Sequence, residues 1–193
     1  MKIINHWIHG THQSSAADRR GKIFNPATGQ VIAELPMGNA EDLEKAVDSA
    51  SNAFLTWSKS SLTKRTQIMF RYKQLLEENR KILTQLINLE HGKVLSDAAG
   101  SLQRGIEVVD FACGIPHLLK GEFSEQVGTG VDCYNTRQPI GVCAGVTPFN
   151  FPAMVPMWMF PIAIMCGNTF ILKPSEKDPS CAMKLAELMN KSI

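Results

Sequence analysis

The chain has 193 residues, of which 44% are hydrophobic and 20% are charged, and these proportions are typical of a globular protein with one or two modest cores. Its 20 basic and 18 acidic residues are spread along the chain and leave a net charge of +2, so the composition does not indicate binding to nucleic acid or to an anionic membrane. The five cysteines form no CxxC pair and no Cys/His ligand spacing, which argues against zinc and structural disulfides and is typical of reduced thiols in the cytoplasm.

The N-terminal segment predicts a layer of short strands. Its start, MKIINHWIHGTHQ, has neither the apolar core of a signal peptide nor the pattern of a transit peptide, so we expect the mature protein to begin near Met1. Two apolar stretches, IINHWIHG and GQVIAELP, are separated by turn formers in HGTH and FNPATGQ. This pattern predicts small antiparallel strands over residues 3–35.

Four amphipathic helices follow. Asn39 can cap the first of them, with Glu41 and Asp42 in its positively polarised first turn. Its apolar positions at helical spacing predict a buried face made of Leu43, Ala46, Val47, Ala50, Phe54 and Trp57. The second helix is predicted over residues 63–78, with an inward face of Ile68, Met69, Tyr72, Leu75 and Leu76.

The third helix covers about residues 80–90 and ends at Gly92, and the fourth covers about 96–113. The fourth has an inward face made of Leu102, Ile106, Val109 and Cys113. Arg104 lies at the edge of this face, where an arginine side chain usually reaches solvent.

The C-terminal third predicts a βαβ unit. Residues 121–138 are polar and contain glycines, which indicates a linker or an exposed hairpin, and residues 140–146 read as a strand buried on both faces. A helix over about 156–166, a second apolar strand in NTFILKPS and a last helix from about Ser180 complete the pattern, and we expect the two strands to be parallel. The apolar window FPAMVPMWMFPIAIMCG is interrupted by prolines, so we interpret it as a buried segment and not as a membrane helix. Because a βαβ unit needs further strands, we expect the chain to end inside a domain.

Polar residues follow both predicted strands of this unit. In an α/β sheet, ligands bind beyond the carboxyl ends of the strands, so residues 147–150 and 173–177 should lie side by side. Lys173 and Glu176 suit a ribose-like ligand, because an ammonium donates to hydroxyls and a carboxylate accepts from a diol. On residue types alone, a solvated turn with a surface ion pair is favoured over that ligand site, because such pairs are common and weak. The unit has no GxGxxG pattern.

Asn150 stands between two phenylalanines, with a proline beyond each of them, in PFNFP, and an amide that is buried among such residues needs hydrogen-bond partners. One hypothesis is structural, in which the side chain bonds to backbone groups of the turn. The other is chemical, in which the amide N–H stabilises an oxyanion that forms when a nucleophile attacks a carbonyl.

The forty residues 141–180, GVCAGVTPFNFPAMVPMWMFPIAIMCGNTFILKPSEKDPS, closely resemble the aldehyde dehydrogenase superfamily, and within it the CoA-acylating methylmalonate-semialdehyde (malonate-semialdehyde) dehydrogenases. Upstream, FNPATG, WSKSSLTKR, LEHGK and QRGIEVVDFACG are similar to the same family. The resemblance implies an α/β fold, the N-terminal part of an aldehyde dehydrogenase with a helical layer, small antiparallel strands and an incomplete Rossmann-like parallel sheet. It divides the chain into β-hairpins and helices of the cofactor-binding domain (1–120), a linker or oligomerisation hairpin (121–138) and the first βαβ unit of the NAD-binding sheet (139–193).

The resemblance also implies roles for individual residues. Asn150 would help stabilise the thiohemiacetal oxyanion, and Arg104 would bind the substrate carboxylate. The residues implied in NAD binding are Thr147 and Phe149 along the groove, Lys173 and Glu176 at the adenosine ribose, and Lys177 beside them. The family oxidises methylmalonate or malonate semialdehyde with NAD and CoA to propionyl-CoA or acetyl-CoA, with CO2 and NADH, in valine, pyrimidine or inositol breakdown.

By the same resemblance, the nucleophilic cysteine and the general-base glutamate of the family match no residue of this chain. We therefore expect either a truncated cytoplasmic enzyme that is inactive alone, or a non-catalytic short form that acts as an interaction module with full-length subunits. The expected partners are a small semialdehyde, CoA and further copies of the subunit in a dimer or tetramer, with no nucleic acid, membrane or metal.

Overall fold

The computed structural model describes residues 1–193 and has short strands at its N-terminal end, a run of helices, and then further strands and helices. The strands are β1 (Lys2–Ile3), β2 (His6–Ile8), β3 (Thr11–Gln13), β4 (Arg20–Phe24), β5 (Val31–Pro36), β6 (Phe123–Gly128), β7 (Val131–Tyr134), β8 (Val142–Val146) and β9 (Thr169–Lys173). The helices are α1 (Ala40–Trp57), α2 (Leu62–Glu78), α3 (Arg80–His91), α4 (Leu95–Cys113), α5 (Ile115–Leu118), α6 (Met154–Met165) and α7 (Ser180–Ser192). None of these helices combines the length and the apolar character that crossing a membrane requires.

The predicted N-terminal β layer is confirmed, with one difference in strand direction. Strands β4 and β5 are antiparallel, and β2 and β3 form a separate antiparallel pair. Strand β1, however, runs parallel to β5 on the edge away from β4, so the prediction of antiparallel pairing is wrong there. The connection from β1 to β5 passes through three other strands, and a connection of that length allows two strands to pair in parallel.

Helix α1 has the predicted cap but not the predicted buried face. The Asn39 side chain accepts from the backbone N–H of Asp42 at 3.0 Å, and the Asp42 carboxylate accepts from the N–H of Asn39 at 3.1 Å. Leu43 and Val47 are 59% and 39% exposed, contrary to prediction. An apolar stripe is buried only where another element packs on it. In α1 this happens near the end of the helix, where the Trp57 side chain donates to the Ile164 carbonyl of α6 at 3.0 Å.

The main core lies between α2, α3, α4, α6 and α7, and it contains the predicted inward face of α4 and, from that of α2, Met69, Tyr72 and Leu76. Leu75 is partly buried against this core, and Ile68 is buried outside it. Leu102 and Val109 of α4 and Tyr72 and Leu76 of α2 are fully buried. Helices α4 and α6 approach closely at Gly105, where an added Cβ would lie 3.3 Å from the Met154 Cα. The close packing of α4 and α6 therefore supports the segment that joins β8 to α6.

Strands β8 and β9 confirm the βαβ unit, because they pair in parallel from Val142 with Thr169 to Val146 with Lys173. The prediction that the first strand is buried on both faces is wrong. Val146 is 76% exposed, whereas Gly145, on the other face, meets the side chains of Phe170 and Met159. A parallel strand becomes buried on both faces only when helices cover both sides of the sheet, and in this chain the face that carries Val146 is open.

Residues 121–138 contain an exposed hairpin, which is one of the two structures that their composition indicates. Strands β6 and β7 pair antiparallel, and every residue in them is exposed. The role of this hairpin as a linker or an oligomerisation element, and the division of the chain into domains, stay predictions.

Arg65 joins three helices beneath the βαβ unit. Its side chain is 5% exposed and donates to the carbonyls of Ser58 at 2.9 Å and of Trp57 and Met165 at 3.4 Å. These carbonyls lie at the ends of α1 and α6, where a helix leaves acceptors without partners. The Ser60 hydroxyl accepts from Arg65 Nε at 3.0 Å.

Arg65→Met is expected to lower the free energy of unfolding by about 2 kcal/mol, because it leaves buried carbonyls without a donor. The matched control is Arg71→Met on the same helix, since Arg71 is exposed and donates to one carbonyl, that of Ser192, at 2.8 Å. Urea unfolding of both variants measures the difference. Equal losses would contradict the interpretation that Arg65 satisfies the ends of α1 and α6.

Candidate functional site

The segments that follow β8 and β9 lie side by side, as predicted. The backbone N–H of Thr147 donates to the Lys173 carbonyl at 3.1 Å, which continues the pairing one residue beyond β8. Thr147 itself is 4% exposed and anchors the start of the first segment. Residues 147–151 and 173–178 therefore form one edge of the sheet, where an α/β fold places its ligands.

Phe149 is held between two elements at this edge. Its ring is 48% exposed, and the Lys177 ammonium lies 4.4 Å from the ring centroid. On the α3 side, the rings of Phe149 and His91 stack with centroids 6.4 Å apart and an interplanar angle of 29°. Phe149 and Lys177, which the resemblance places along one cofactor groove, are thus in contact.

Lys173 and Glu176 form an exposed ion pair with 3.3 Å between Nζ and Oε2. The pKa of Glu176 is lowered, first by its own backbone N–H and then by Lys173, so the carboxylate is ionised at neutral pH. The geometry agrees with the surface-pair hypothesis, and it leaves an ammonium and a carboxylate accessible at the strand end, which the ribose hypothesis requires.

Asn150 is exposed, and its side chain makes no hydrogen bond within the chain, so the structural hypothesis of burial and bonding to the turn backbone is wrong. The reason is that the segment turns outward after Thr147, and only Pro152 and the residues after it return to the core. The amide N–H groups are consequently free to donate to a ligand.

Arg104 is exposed on α4, as its position at the edge of the apolar face predicts. Its guanidinium carbon lies 5.9 Å from the centroid of the Phe151 ring, and Nε donates to the Gly100 carbonyl at 3.4 Å. Since Phe151 is the residue after Asn150, the tertiary structure brings Arg104 to the same edge as the predicted oxyanion donor.

Lys93, which sequence reasoning missed, contacts the Asn150 segment at this edge. It follows Gly92, whose φ of 83° ends α3. Its ammonium donates to the Asn150 backbone carbonyl and lies 4.3 Å from the centroid of Phe151. The only sequence signal was its place in LEHGK, one of the stretches that resemble the family, and nothing there indicates a contact with residue 150.

Two buried carboxylates lie behind Lys93. Asp178 is 2% exposed and neither of its carboxylate oxygens has a hydrogen-bond partner, whereas Glu90 is 8% exposed and accepts from the N–H of Ser180 at 2.9 Å. Burial raises the pKa of Asp178 to about 7; Glu90 and Glu176 add to the rise, and Ser175 and Lys93 oppose it. Burial also raises the pKa of Glu90. At neutral pH, Asp178 is therefore close to its titration midpoint.

The cysteines offer no activated thiol at this edge. Burial raises the pKa values of Cys113, Cys166 and Cys181, which disfavours their thiolates at neutral pH. Cys133 lies on the exposed hairpin, and Cys143 lies in the first half of β8. The structure also has no group of three His, Cys, Asp or Glu side chains placed to hold a metal ion.

Comparisons with known proteins agree with this architecture. Residues 12–192 match the model of the aldehyde dehydrogenase family. The chain is 50% identical over 192 residues to the malonate-semialdehyde dehydrogenase of Pseudomonas aeruginosa, an alignment that covers 100% of this chain and 38% of that protein. It is 48% identical to malonate-semialdehyde dehydrogenase 2 of Geobacillus thermodenitrificans, covering 99% of this chain and 40% of that protein. The chain thus spans less than half the length of these relatives.

Solved structures show the same similarity. A methylmalonate-semialdehyde dehydrogenase from Sinorhizobium meliloti, crystallised in complex with NAD, superposes with a TM-score of 0.97 at 47% identity, over 100% of this chain and 39% of that one. The methylmalonate-semialdehyde dehydrogenase DddC from Oceanimonas doudoroffii gives a TM-score of 0.97 at 49% identity, with the same coverage of 100% and 39%.

Proposed function

Since this chain belongs to the aldehyde dehydrogenase family, we propose that it supplies the oxyanion side chain and the adenosine-ribose side of the NAD site in a CoA-acylating methylmalonate- or malonate-semialdehyde dehydrogenase. The observation that carries the proposal is the edge formed by residues 147–151 and 173–178. At this edge, the Asn150 side chain makes no hydrogen bond within the chain. Its segment runs beside Lys173 and Glu176, whose ammonium and carboxylate are 3.3 Å apart.

The residues at this edge fit a nicotinamide dinucleotide. The ionised Glu176 can accept from both hydroxyls of a ribose, and Lys173 can donate to a hydroxyl or a phosphate oxygen. Phe149 forms the wall next to them and Thr147 lies buried at the start of the same segment, and the Lys177 ammonium adds positive charge over the Phe149 ring. When bound, NAD would accept hydride from the substrate.

The part of Asn150 in the reaction is to donate its side-chain N–H to the aldehyde oxygen as negative charge develops on it. A donor of this kind is effective when it is already oriented and is not engaged elsewhere, and the Asn150 amide meets the second condition. Arg104 would bind the carboxylate of the semialdehyde, because a planar guanidinium can donate two parallel hydrogen bonds to it. Its place beside Phe151 supports this assignment.

NAD binding tests the proposal directly. Lys173→Ala and Glu176→Ala are each expected to weaken NAD binding to the chain by about tenfold or more, because each removes a charged hydrogen-bonding group. The matched control is Lys184→Ala, which breaks the Lys184–Glu187 pair, also three residues apart and 2.9 Å long, on α7. Isothermal titration calorimetry measures the affinities. Equal affinities for the four proteins would contradict the assignment of this edge to NAD.

Turnover is measured in a chimera in which this chain replaces the matching 192 residues of the Pseudomonas aeruginosa relative. The chain alone serves as the baseline and is expected to form no NADH from methylmalonate semialdehyde and CoA, since its buried thiols are not activated. NADH formation by the chain alone would contradict that expectation.

The exposed hairpin supports a second candidate function, a non-catalytic form that binds full-length subunits. Phe123 and Tyr134 are 65% and 75% exposed, which is typical of residues at a subunit interface. The two candidates differ in what they require. A chain that associates with subunits of the relative in sedimentation experiments but does not bind NAD would support the second.

A further inference from the structure

Lys93 connects three elements at the candidate site. Gly92 ends α3 in a left-handed conformation, and the Lys93 side chain then crosses to the segment after β8. There, Nζ donates to the Asn150 carbonyl and lies over the face of Phe151, while the Nε2 atom of His91 is 3.3 Å away. One ammonium thus contacts two successive residues of that segment and the last residue of α3.

The charged groups that affect Lys93 lie on α4 and in the segment after β9. Asp178, after β9, is the acid with the largest effect on it, Asp97 of α4 also favours its charge, and Arg104 of α4 opposes it. Asp178 is 2% exposed and has two carboxylate oxygens without hydrogen-bond partners. Burial disfavours the ionised form of Asp178 and raises its pKa, and Ser175 and then Lys93 oppose that rise.

No hydrogen bond of its own fixes the direction of the Asn150 side chain. The side chain is exposed and makes no hydrogen bond within the chain, so the direction of its amide depends on how the backbone at residues 149–151 is held. Lys93 donates to the Asn150 carbonyl and packs its ammonium on the Phe151 ring. Phe151 is also held by the Val155 N–H, which donates to its carbonyl at 3.2 Å, and by Arg104, 5.9 Å from its ring centroid, whereas the contact with residue 150 comes from Lys93.

We propose that Lys93 is a positioning residue, which orients the Asn150 amide by fixing the Asn150 carbonyl and the Phe151 ring. This rests on the proposed function of Asn150 as the oxyanion donor. Lys93 does not contact the reacting atoms in this assignment and acts only through residue 150. Lysine suits the task because a compact ammonium has three donors, so it can bond to a carbonyl while its charge faces an aromatic ring.

Backbone ¹⁵N relaxation in the 193-residue chain tests the positioning. Lys93→Met is expected to lower the order parameters of the N–H bonds at residues 149–151 from values typical of rigid backbone, about 0.85, to values typical of a flexible loop, below about 0.6, without changing those of α2. Lys93→Arg, which keeps charge and donors, should restore at least part of the order. The control is Lys81→Met, since Lys81 is exposed on the same helix. Unchanged order parameters at 149–151 in Lys93→Met would overturn the proposal.

Kinetics of the chimera separate positioning from a general loss of stability. Lys93→Met should lower kcat about tenfold with little change in KM for NAD, because it removes part of the orientation of one donor. In an Asn150→Ala background, the same substitution should have no further effect on kcat, since no amide is left to orient. A further tenfold loss in that background would contradict action through Asn150. If Asn150→Ala leaves kcat unchanged, the oxyanion function itself fails, while the order parameters at 149–151 still decide whether Lys93 holds the segment.

Discussion

Asn150→Ala in the chimera is expected to reduce kcat by about 10²–10³-fold, the usual loss when one oxyanion donor is removed, with KM for NAD changed less than about twofold. The physical reason is that the amide N–H is stronger as a donor to developing negative charge than to a neutral carbonyl. Because the Asn150 side chain makes no hydrogen bond within the chain, the substitution should leave the stability of the fold nearly unchanged. Steady-state kinetics and thermal unfolding measure the two quantities.

Two further variants sharpen this experiment. Asn150→Asp has nearly the same shape but replaces donors by a negative charge, so it should be at least as inactive as Asn150→Ala. Asn52→Ala, on the exposed side of α1, removes an asparagine that also lacks a hydrogen bond and should keep full activity. Retention of activity by Asn150→Ala, or an equal loss in Asn52→Ala, would show that residue 150 does not stabilise an oxyanion.

Asp178→Asn is expected to make the chain more stable at pH 8 by about 4 kcal/mol. The pKa of Asp178 is about 7 in the folded chain against an ordinary value of 3.8, and each unit of difference corresponds to about 1.4 kcal/mol. Between these two values the folded chain keeps a proton that the unfolded chain releases. The favourable contribution of the protonated acid is therefore complete below pH 3.8 and is lost as the pH rises to about 7.

Urea unfolding between pH 4 and pH 8 measures this effect. The wild-type chain should lose stability relative to Asp178→Asn across that range, so that the two curves diverge as the pH rises. Asp48→Asn, an exposed position on α1, is the control and should run parallel to the wild type. Parallel curves for wild type and Asp178→Asn would show that the buried carboxylate does not titrate near neutral pH.

The contrast between α4 and α1 shows how far sequence periodicity predicts structure. Both helices follow from apolar residues at helical spacing, and both exist. The predicted inward residues Leu102 and Val109 of α4 are fully buried, because α6 packs across them and the closest approach is at Gly105. Leu43 of α1 has the same kind of spacing and is exposed, because no element covers it. Periodicity thus predicts which face is apolar, but burial depends on a neighbour from elsewhere in the chain.

The residues of the candidate site also fall into two groups, those that the sequence predicts as neighbours and those that only the tertiary structure brings together. Its strand-end residues, Thr147 and Lys173, could be predicted as neighbours because consecutive parallel strands end at one edge of a sheet. Lys93 could not, since it comes from the end of α3, and only the packing of α3 and α4 places it beside Asn150. The low solvent exposure of Asp178, which raises its pKa, likewise depends on α3 and α7 meeting at Glu90 and Ser180.

By itself, the sequence determined the long helices α1 to α4, the cap of α1, the parallel βαβ unit and the residue types at the strand ends, because these depend on local propensity and on spacing along the chain. Only the tertiary structure decided that Asn150 is exposed and unbonded, that Lys93 holds its backbone, and that Asp178 is buried without a hydrogen bond. These three facts depend on contacts between residues far apart in sequence. Local propensity and spacing contain no information about such contacts.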